Sequence, residues 1–349
     1  MKPTQYPVPP HFKKEKVGSV WRVNYQKLFK DASVWASEYK IKPANEDAVG
    51  VCLLGVDIQN TFCIPGFELY VAGRSGTGAV DDNQRLCEFI YKNLGYITQI
   101  IPTMDTHQAI QIFHSIFFVN EKGLHPEPHS QITEDDILNG RWRINPAIEH
   151  NYPYNIEYLQ KHLRHYTQQL KTSGKYELTI WPYHAMLGGI GHALVSAFEE
   201  ALFFHSITRN SQPHIHTKGN HPLTEHYSVF GPEVSTGPEG KKLVPESESV
   251  FQTLEDFDVI IIAGQAKSHC VAWTISDLLE TVQSRGKTFV EKVYLLEDCS
   301  SSVVIPEVVD FAEQADAAYG RFSNAGMNVV KSSTPLWEWP GTIRELFRR

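Results

Sequence analysis

Long apolar runs are missing from this sequence. No window approaches 18 consecutive apolar residues, so no membrane-spanning helix is expected. The opening stretch MKPTQYPVPPHFKKEK holds lysines but no apolar core, so a secretory signal is not expected either. A basic excess is also lacking. The 32 Lys and Arg stand against 40 Asp and Glu, for a formal charge of −8, and no basic stripe runs along the chain. That argues against nucleic acid as a partner. Cysteine is scarce, odd in number and scattered: Cys52, Cys63, Cys87, Cys270 and Cys299. Such a set fits the reduced thiols of a cytoplasmic protein better than a disulfide framework. No internal repeat or low-complexity tract is present.

What is present suffices for a sizeable core: 42% of the 349 residues are hydrophobic. The length is large for one α/β core and small for two full domains. Residues 1–48 read as an N-terminal extension. Pro3, Pro7, Pro9 and Pro10 argue for an extended arm. Val20 to Val23 suits an edge strand or a packing segment, with Trp21 either an interface anchor or packed on the chain's own body.

The main domain, 49–349, opens at the apolar run Val51 to Val56, which ends in Asp57 and has the look of a parallel strand buried on both faces. A helix is expected from Val80 to Leu94 and a second buried strand from Ile97 to Met104, ending in Asp105-Thr-His107. Residues 108–178 are long and irregular. Within them Ile156, Leu159, Leu163, Tyr166 and Leu170 recur at helical spacing, with Asn155 to cap the helix and Ser173-Gly174 to stop it. This is expected to be an insertion lying over the core. Further expected elements are a helix from Gly188 to Phe204, a short strand from His214 to Thr217 and a second long loop over 219–256. A buried strand from Val259 to Ala263 follows, then a helix from Cys270 to about Arg285, a strand from Val290 to Leu296, a helix from Pro306 to Tyr319 and a strand near Met327 to Val330. Strands alternating with helices predict a doubly wound, three-layer α/β/α fold around a parallel sheet.

In such sheets ligands bind beyond the carboxyl ends of the strands. The polar residues there are Asp57, Asp105, His107, Lys218 and Cys270, with His184 in a turn before a helix. They form two coherent sets. Asp57, Lys218 and Cys270 make a workable nucleophilic triad: a carboxylate takes the thiol proton, and an ammonium steadies both partners. A thiol where a strand turns into a helix also meets the first free N–H groups and the helix dipole, which favour the thiolate and a lowered pKa. Those N–H groups can bind a developing oxyanion. Asp105, His107 and His184 are a carboxylate and two imidazoles suited to a divalent metal such as Zn, Mn or Fe. His269, beside the thiol, is placed to shape the pocket. His125, His129, His162, His165, His205, His214, His216, His221 and His226 are expected on the surface or in loops.

These segments together resemble nicotinamidases of the isochorismatase-like cysteine hydrolase superfamily. Asp57-Ile-Gln-Asn-Thr-Phe-Cys-Ile-Pro-Gly66 looks like the family's D-x-Q-N-D-F-x-x-x-G opening. Asp105-Thr-His107, Trp181-Pro-Tyr-His184 and Lys218-Gly219 match its D-x-H, W-P-x-H and K-G, and Tyr227-Ser-Val-Phe230 its Y-S-x-F. Gly264-Gln-Ala-Lys-Ser-His-Cys270-Val271 resembles its G-x-A-x-x-x-C-V. Motif order agrees over residues 50–331. The resemblance implies hydrolysis of a small-molecule amide, nicotinamide or a close heteroaromatic relative, through a Cys270 thioester. Asp57 would be the base and Lys218 its support. The N–H groups of Ala266 and Cys270 would form the oxyanion hole, beside a cis peptide at Gln265–Ala266. Phe62 and Gln265 would meet the substrate. The metal, most simply Zn, would be held by Asp105, His107 and His184 and grip the pyridine nitrogen. A homo-oligomer is expected. Several positions depart from the pattern. Thr61 replaces the motif's aspartate, Asn83 stands one place early in V-x-x-x-N-x-L, and Ala185 replaces the cysteine after W-P-x-H. Gln111-Ile-Phe-His114 stands where H-x-S-F is usual. The alternatives are a superfamily amidohydrolase for another substrate, such as an N-carbamoyl compound, and a non-catalytic binding or scaffold protein.

Overall fold

Two uninterrupted apolar runs lie side by side at the centre of the molecule. In the computed structural model, which describes residues 4–244, 248–283 and 287–346, strand β1 (Val51–Val56) pairs in parallel with the strand that the chain forms 208 residues later, Val51 opposite Val259 and Val56 opposite Gly264. Every residue of both runs is buried. This is why their sequences do not alternate: both faces of the strand meet a hydrophobic layer.

The sheet has six strands. They are β1, β2 (Gln99–Asp105), β3 (His216–Lys218), β4 (Val259–Gly264), β5 (Val293–Leu296) and β6 (Asn328–Val330), in the spatial order β3-β2-β1-β4-β5-β6, all parallel. The order reverses between β1 and β4, and this is the switch point where a doubly wound sheet opens its ligand crevice. Alternate residues of a strand serve opposite cores. Val51 and Leu53 of β1, with Val259 and Ile261 of β4, pack with Leu86, Phe89 and Ile90 of helix α2 (Gly78–Lys92) and Phe198 and Ala201 of α4 (Ser196–Arg209). Leu54 and Val56, with Ile260 and Ile262, pack with α3 (Ile156–Thr172), α5 (Ala272–Gln283) and α6 (Ala312–Asn324) through Leu163, Ile275, Leu278 and Phe322.

Helix α3 forms as its spacing predicts. The Asn155 side chain accepts from the Tyr158 N–H, and Gly174 turns the chain at φ +68°. The rest of 108–178 is less irregular than expected. It holds two short antiparallel pairs and a small helix, Glu134–Leu138, with a Thr133 capping box, and it lends Phe113, Phe117, Phe118 and Ile132 to the second core.

Other expectations need correction. The N-terminal extension is not simply an extended arm: it carries helix α1 (Tyr25–Glu38), capped by Asn24 and docked through Leu28 and Ala32. Val20 to Val23 forms no strand. Trp21 packs on the chain's own body, its indole N–H donating to Glu200 at 3.0 Å. Helix α4 starts at Ser196, because Gly188, Gly189 and Gly191 keep the preceding segment irregular. Strand β5 starts only at Val293, after a turn of helix at Lys287–Val290. Pro306 lies in the turn that joins a small antiparallel pair, Val304–Ile305 with Val309–Asp310, and α6 begins only at Ala312. The helix end expected at Arg285 lies outside the described residues. No helix among the described residues is long and apolar enough to cross a membrane.

Candidate active site

Strand β1 delivers Asp57 at its carboxyl end, fully buried and in the left-handed region at φ +48°. The Asp57 carboxylate accepts from the Thr103 hydroxyl at 2.6 Å and pairs with Lys218 Nζ at 2.8 Å. Lys218 is the last residue of β3 rather than the first beyond it. Parallel pairing sets it opposite Asp105 of β2, with Nζ 3.3 Å from Asp105 Oδ1. The ammonium also donates to the His226 carbonyl at 2.9 Å and reaches Cys270 Sγ at 3.6 Å. Asp57, Lys218 and Cys270, more than 200 positions apart at the extremes of the chain segment, thus meet at the switch point.

The turn that carries Cys270 departs from expectation. The thiol does not open the helix. It sits in a wide turn, Lys267–Val271, in which the Val271 N–H donates to the Ala266 carbonyl five residues back, and α5 starts at Ala272. The Gln265–Ala266 peptide is cis. Burial pushes the Cys270 thiol well above its ordinary pKa. The Lys218 ammonium opposes this, but the Asp57 and Asp105 carboxylates reinforce it. The lowered thiol pKa expected from the helix start is therefore not found, and proton removal falls to a base. Burial likewise raises Asp57, against the pull of Lys218. Burial alone would discharge Lys218, but Asp105 and Asp57 outweigh it and hold the ammonium charged.

The second set is larger than the sequence suggested. The ligand atoms of His107, His114 and His184 lie within 4.8 Å of one another, all three buried, in an arrangement that can hold a metal ion. Asp105 stands at its edge, Oδ1 3.1 Å from His107 Nε2 and Oδ2 4.0 Å from His184 Nε2. The hydrogen bonding suits ligation. His107 Nδ1 faces the His184 carbonyl at 3.1 Å, His184 Nδ1 the Pro182 carbonyl at 2.8 Å and His114 Nδ1 the Ala109 carbonyl at 3.2 Å. With each Nδ1–H donating to a carbonyl, each Nε2 lone pair is free for an ion. His114 Nε2 is buried without a hydrogen-bond partner. Burial and the neighbouring His107 keep His114 and His184 neutral, His114 with its pKa lowered to about 3. The residues present fit a divalent metal. His114 was visible in the sequence only as a departure from H-x-S-F. Its place depends on the loop after His107 doubling back, which no periodicity announces.

Between the two sets lies a narrow cleft. Phe62, Leu69, Val71, Trp181 and Val303 make its apolar wall, and Ala266, His269, Cys270, Asp105, His184, Glu225 and Tyr227 complete it. Phe62 meets the His184 ring edge to face at 5.5 Å. Gln265 is not among the lining residues. Its amide donates to Asp82 Oδ2 at 2.8 Å and accepts from the Ser301 N–H at 3.3 Å, so both ends are committed beneath the turn. His269 lines the cleft within an aromatic group of Tyr176, Trp181, Tyr227 and Phe311. Of the histidines expected on the surface, His162 and His205 are buried, each donating to a backbone carbonyl. His226 is buried too.

No protein-family model matches the chain, and no curated protein matches it by sequence. Solved structures do match. Yeast nicotinamidase bound to the inhibitor nicotinaldehyde aligns at TM-score 0.51 and 18% identity, over 80% of this chain and 99% of that one. The chain has the isochorismatase-like α/β fold of that structure. An Acinetobacter baumanii nicotinamidase/pyrazinamidase aligns at TM-score 0.49 and 17% identity, over 82% of this chain and 99% of that one. The pyrazinamidase of Pyrococcus horikoshii in complex with zinc aligns at TM-score 0.41 and 18% identity, over 80% of this chain and 98% of that one. At 18% identity the likeness to the yeast structure establishes a shared fold and no more.

Proposed function

We propose that this protein hydrolyses the carboxamide of nicotinamide, or of a close heteroaromatic amide, to the carboxylic acid and ammonia. The observation that carries this reading is the position of Lys218 Nζ, 2.8 Å from the Asp57 carboxylate and 3.6 Å from the Cys270 sulfur, at a cleft that His184 also lines. A neutral thiol needs a base in contact, and Asp57 is one. As Cys270 Sγ bonds to the amide carbon, its proton passes to Asp57. The carbonyl oxygen takes up negative charge beside the N–H groups of Ala266 and Cys270. Asp57 then gives the proton to the departing nitrogen, and ammonia leaves a thioester. Water attacks that thioester, its proton goes to Asp57 and then to sulfur, and the acid is released. Lys218, held charged by its two carboxylates, keeps Asp57 ionised until the thiol is ready to transfer its proton.

His107, His114 and His184, with Asp105 beside them, would hold the metal, and this nitrogen-rich set suits Zn. Bound there, such an ion supplies a Lewis-acid contact for a ring nitrogen. Phe62 and Trp181 wall the cleft and keep a flat ring from tumbling. An N-carbamoyl substrate, being non-aromatic, would leave the imidazole cluster without a use. Ammonia release from nicotinamide, with divalent metal supplied, tests the proposal. Wild type is expected to release ammonia and Cys270→Ala none. A folded, metal-loaded wild type that releases none overturns the reading.

A further inference from the structure

Helix α3 belongs to the long insertion, yet three of its side chains end on the backbone of the loop that follows Lys218. His162 Nε2 lies 2.7 Å from the Leu223 carbonyl, His165 Nε2 lies 3.0 Å from the Thr236 carbonyl, and the Tyr166 hydroxyl accepts from the Glu225 N–H at 3.2 Å. Gln111 holds the start of the same loop, donating to the Gly219 carbonyl at 2.7 Å. The Thr224 hydroxyl braces it internally, donating to the Val234 carbonyl at 2.9 Å. Leu223 to Glu225 leads directly into His226, whose carbonyl accepts from Lys218 Nζ at 2.9 Å. That ammonium meets Asp57 at 2.8 Å and Cys270 Sγ at 3.6 Å. A line of contacts thus runs from α3 through the loop to the thiol. His162 is its most informative member. It is fully buried. A carbonyl can only accept, so Nε2 carries the proton, and Nδ1 is left an acceptor, buried with no hydrogen-bond partner. An idle buried acceptor is destabilising, and packing alone would be met better by an apolar side chain. What the imidazole adds is its bond to Leu223.

We propose that His162 is a positioning residue for the Lys218–Cys270 pair, acting through the backbone from Leu223 to His226, with Tyr166 as its support. The proposal rests on the roles given above to Cys270 and Lys218, and it assigns the insertion a task in the chemistry. Lys218 has three N–H donors. Asp57 and the His226 carbonyl take two of them, which directs the third toward the sulfur and Asp105. A loop released from α3 would no longer fix that direction, and misplacement by about 1 Å can cost up to about 100-fold in rate. The loop also gives Glu225 and Tyr227 to the cleft wall. Thiol reactivity, which needs no substrate, is therefore a cleaner readout than KM.

The test is the rate at which iodoacetamide alkylates Cys270 in the full chain with zinc supplied, followed by mass spectrometry, with Cys270→Ala to subtract the other thiols. His162→Leu is expected to slow alkylation roughly ten-fold and to lower kcat on nicotinamide by a similar factor. His162→Gln, whose amide can still donate to the Leu223 carbonyl, should restore most of both. Tyr166→Phe keeps the ring in the core and removes only the acceptor for the Glu225 N–H. It should slow alkylation several-fold, and it carries the test in place of the leucine variant if that one does not fold. Alkylation at the wild-type rate in folded His162→Leu, or failing that in Tyr166→Phe, overturns the proposal. So does a folded glutamine variant as slow as the leucine one, or a wild-type Cys270 no more reactive than the other buried thiols. If wild type releases no ammonia from nicotinamide, the substrate reading falls instead, and the alkylation rates still decide the role of His162.

Discussion

Lys218 Nζ stands 3.3 Å from Asp105 Oδ1, a carboxylate that belongs to the other half of the site. Strand register brings this about, with Asp105 and Lys218 as partners across β2 and β3. One ammonium therefore serves both the thiol–carboxylate pair and the rim of the imidazole cluster. Removing it exposes Asp57 to burial without its counter-charge. Lys218→Met is expected to lower kcat by roughly 100-fold or more. The acid limb of kcat/KM carries the sharper test. Activity needs Asp57 ionised, burial already raises its pKa, and Lys218 is what pulls it back. In Lys218→Met the limb should move to higher pH. A limb that stays in place would show that another group sets it.

His114 carries the second prediction. Its Nε2 is buried, has no hydrogen-bond partner and lies with those of His107 and His184. A buried nitrogen left in that state makes sense as a ligand. His114→Ala should weaken zinc binding by roughly 10-fold to 100-fold in competition with a chelating dye, a loss of the size seen when groups supporting a metal are removed. Unchanged affinity would assign His114 to packing against Tyr183, whose ring lies 4.5 Å away.

The approach of β1 and β4 depends on Gly264. It sits at φ +125°, and a Cβ there would lie 2.0 Å from the Val56 carbonyl oxygen. Gly264→Ala is both conformationally strained and blocked by backbone. A loss of about 3 kcal/mol or more in stability is expected. The Cys270 turn follows directly, so activity should fall further than unfolding explains when measured well below the melting temperature. A variant with wild-type stability and turnover would contradict this account of the switch point.

Much of this architecture was legible because burial on both faces writes itself into composition. Val51–Val56 and Val259–Gly264 read as strands for that reason, and the residues at their ends named the crevice. Helix α3 was legible through its spacing and its Asn155 cap. Helix α1 was not, because the prolines before it and only two fully buried apolar residues, Leu28 and Ala32, leave a faint pattern. The start of α4 was misplaced because glycines inside an apolar stretch do not interrupt hydrophobic spacing, only backbone preference. What no local pattern carries is register and loop return. The Asp105–Lys218 pairing, the arrival of His114 and the turning of Gln265 toward Asp82 each depend on contacts between distant segments.

The buried acid behind the cleft yields the last prediction. Burial pushes Glu233 up to about 7 from 4.5, although Lys175 at 3.3 Å opposes it. A carboxyl whose folded pKa is raised binds more protons folded than unfolded between those two values. Its contribution is complete below the ordinary carboxylate pKa and is lost as pH rises through about 7. Over that window the loss is on the order of 3 kcal/mol. Buried imidazoles such as His162 and His205, whose pKa values are lowered to about 4, bend the wild-type curve the other way. The quantity to follow is therefore the difference between Glu233→Gln and wild type. Melting temperatures at about pH 5 and about pH 8 should show the glutamine variant gaining on wild type as pH rises. A difference that is constant with pH would mean that Glu233 is already ionised in the folded protein, with Lys175 prevailing over burial.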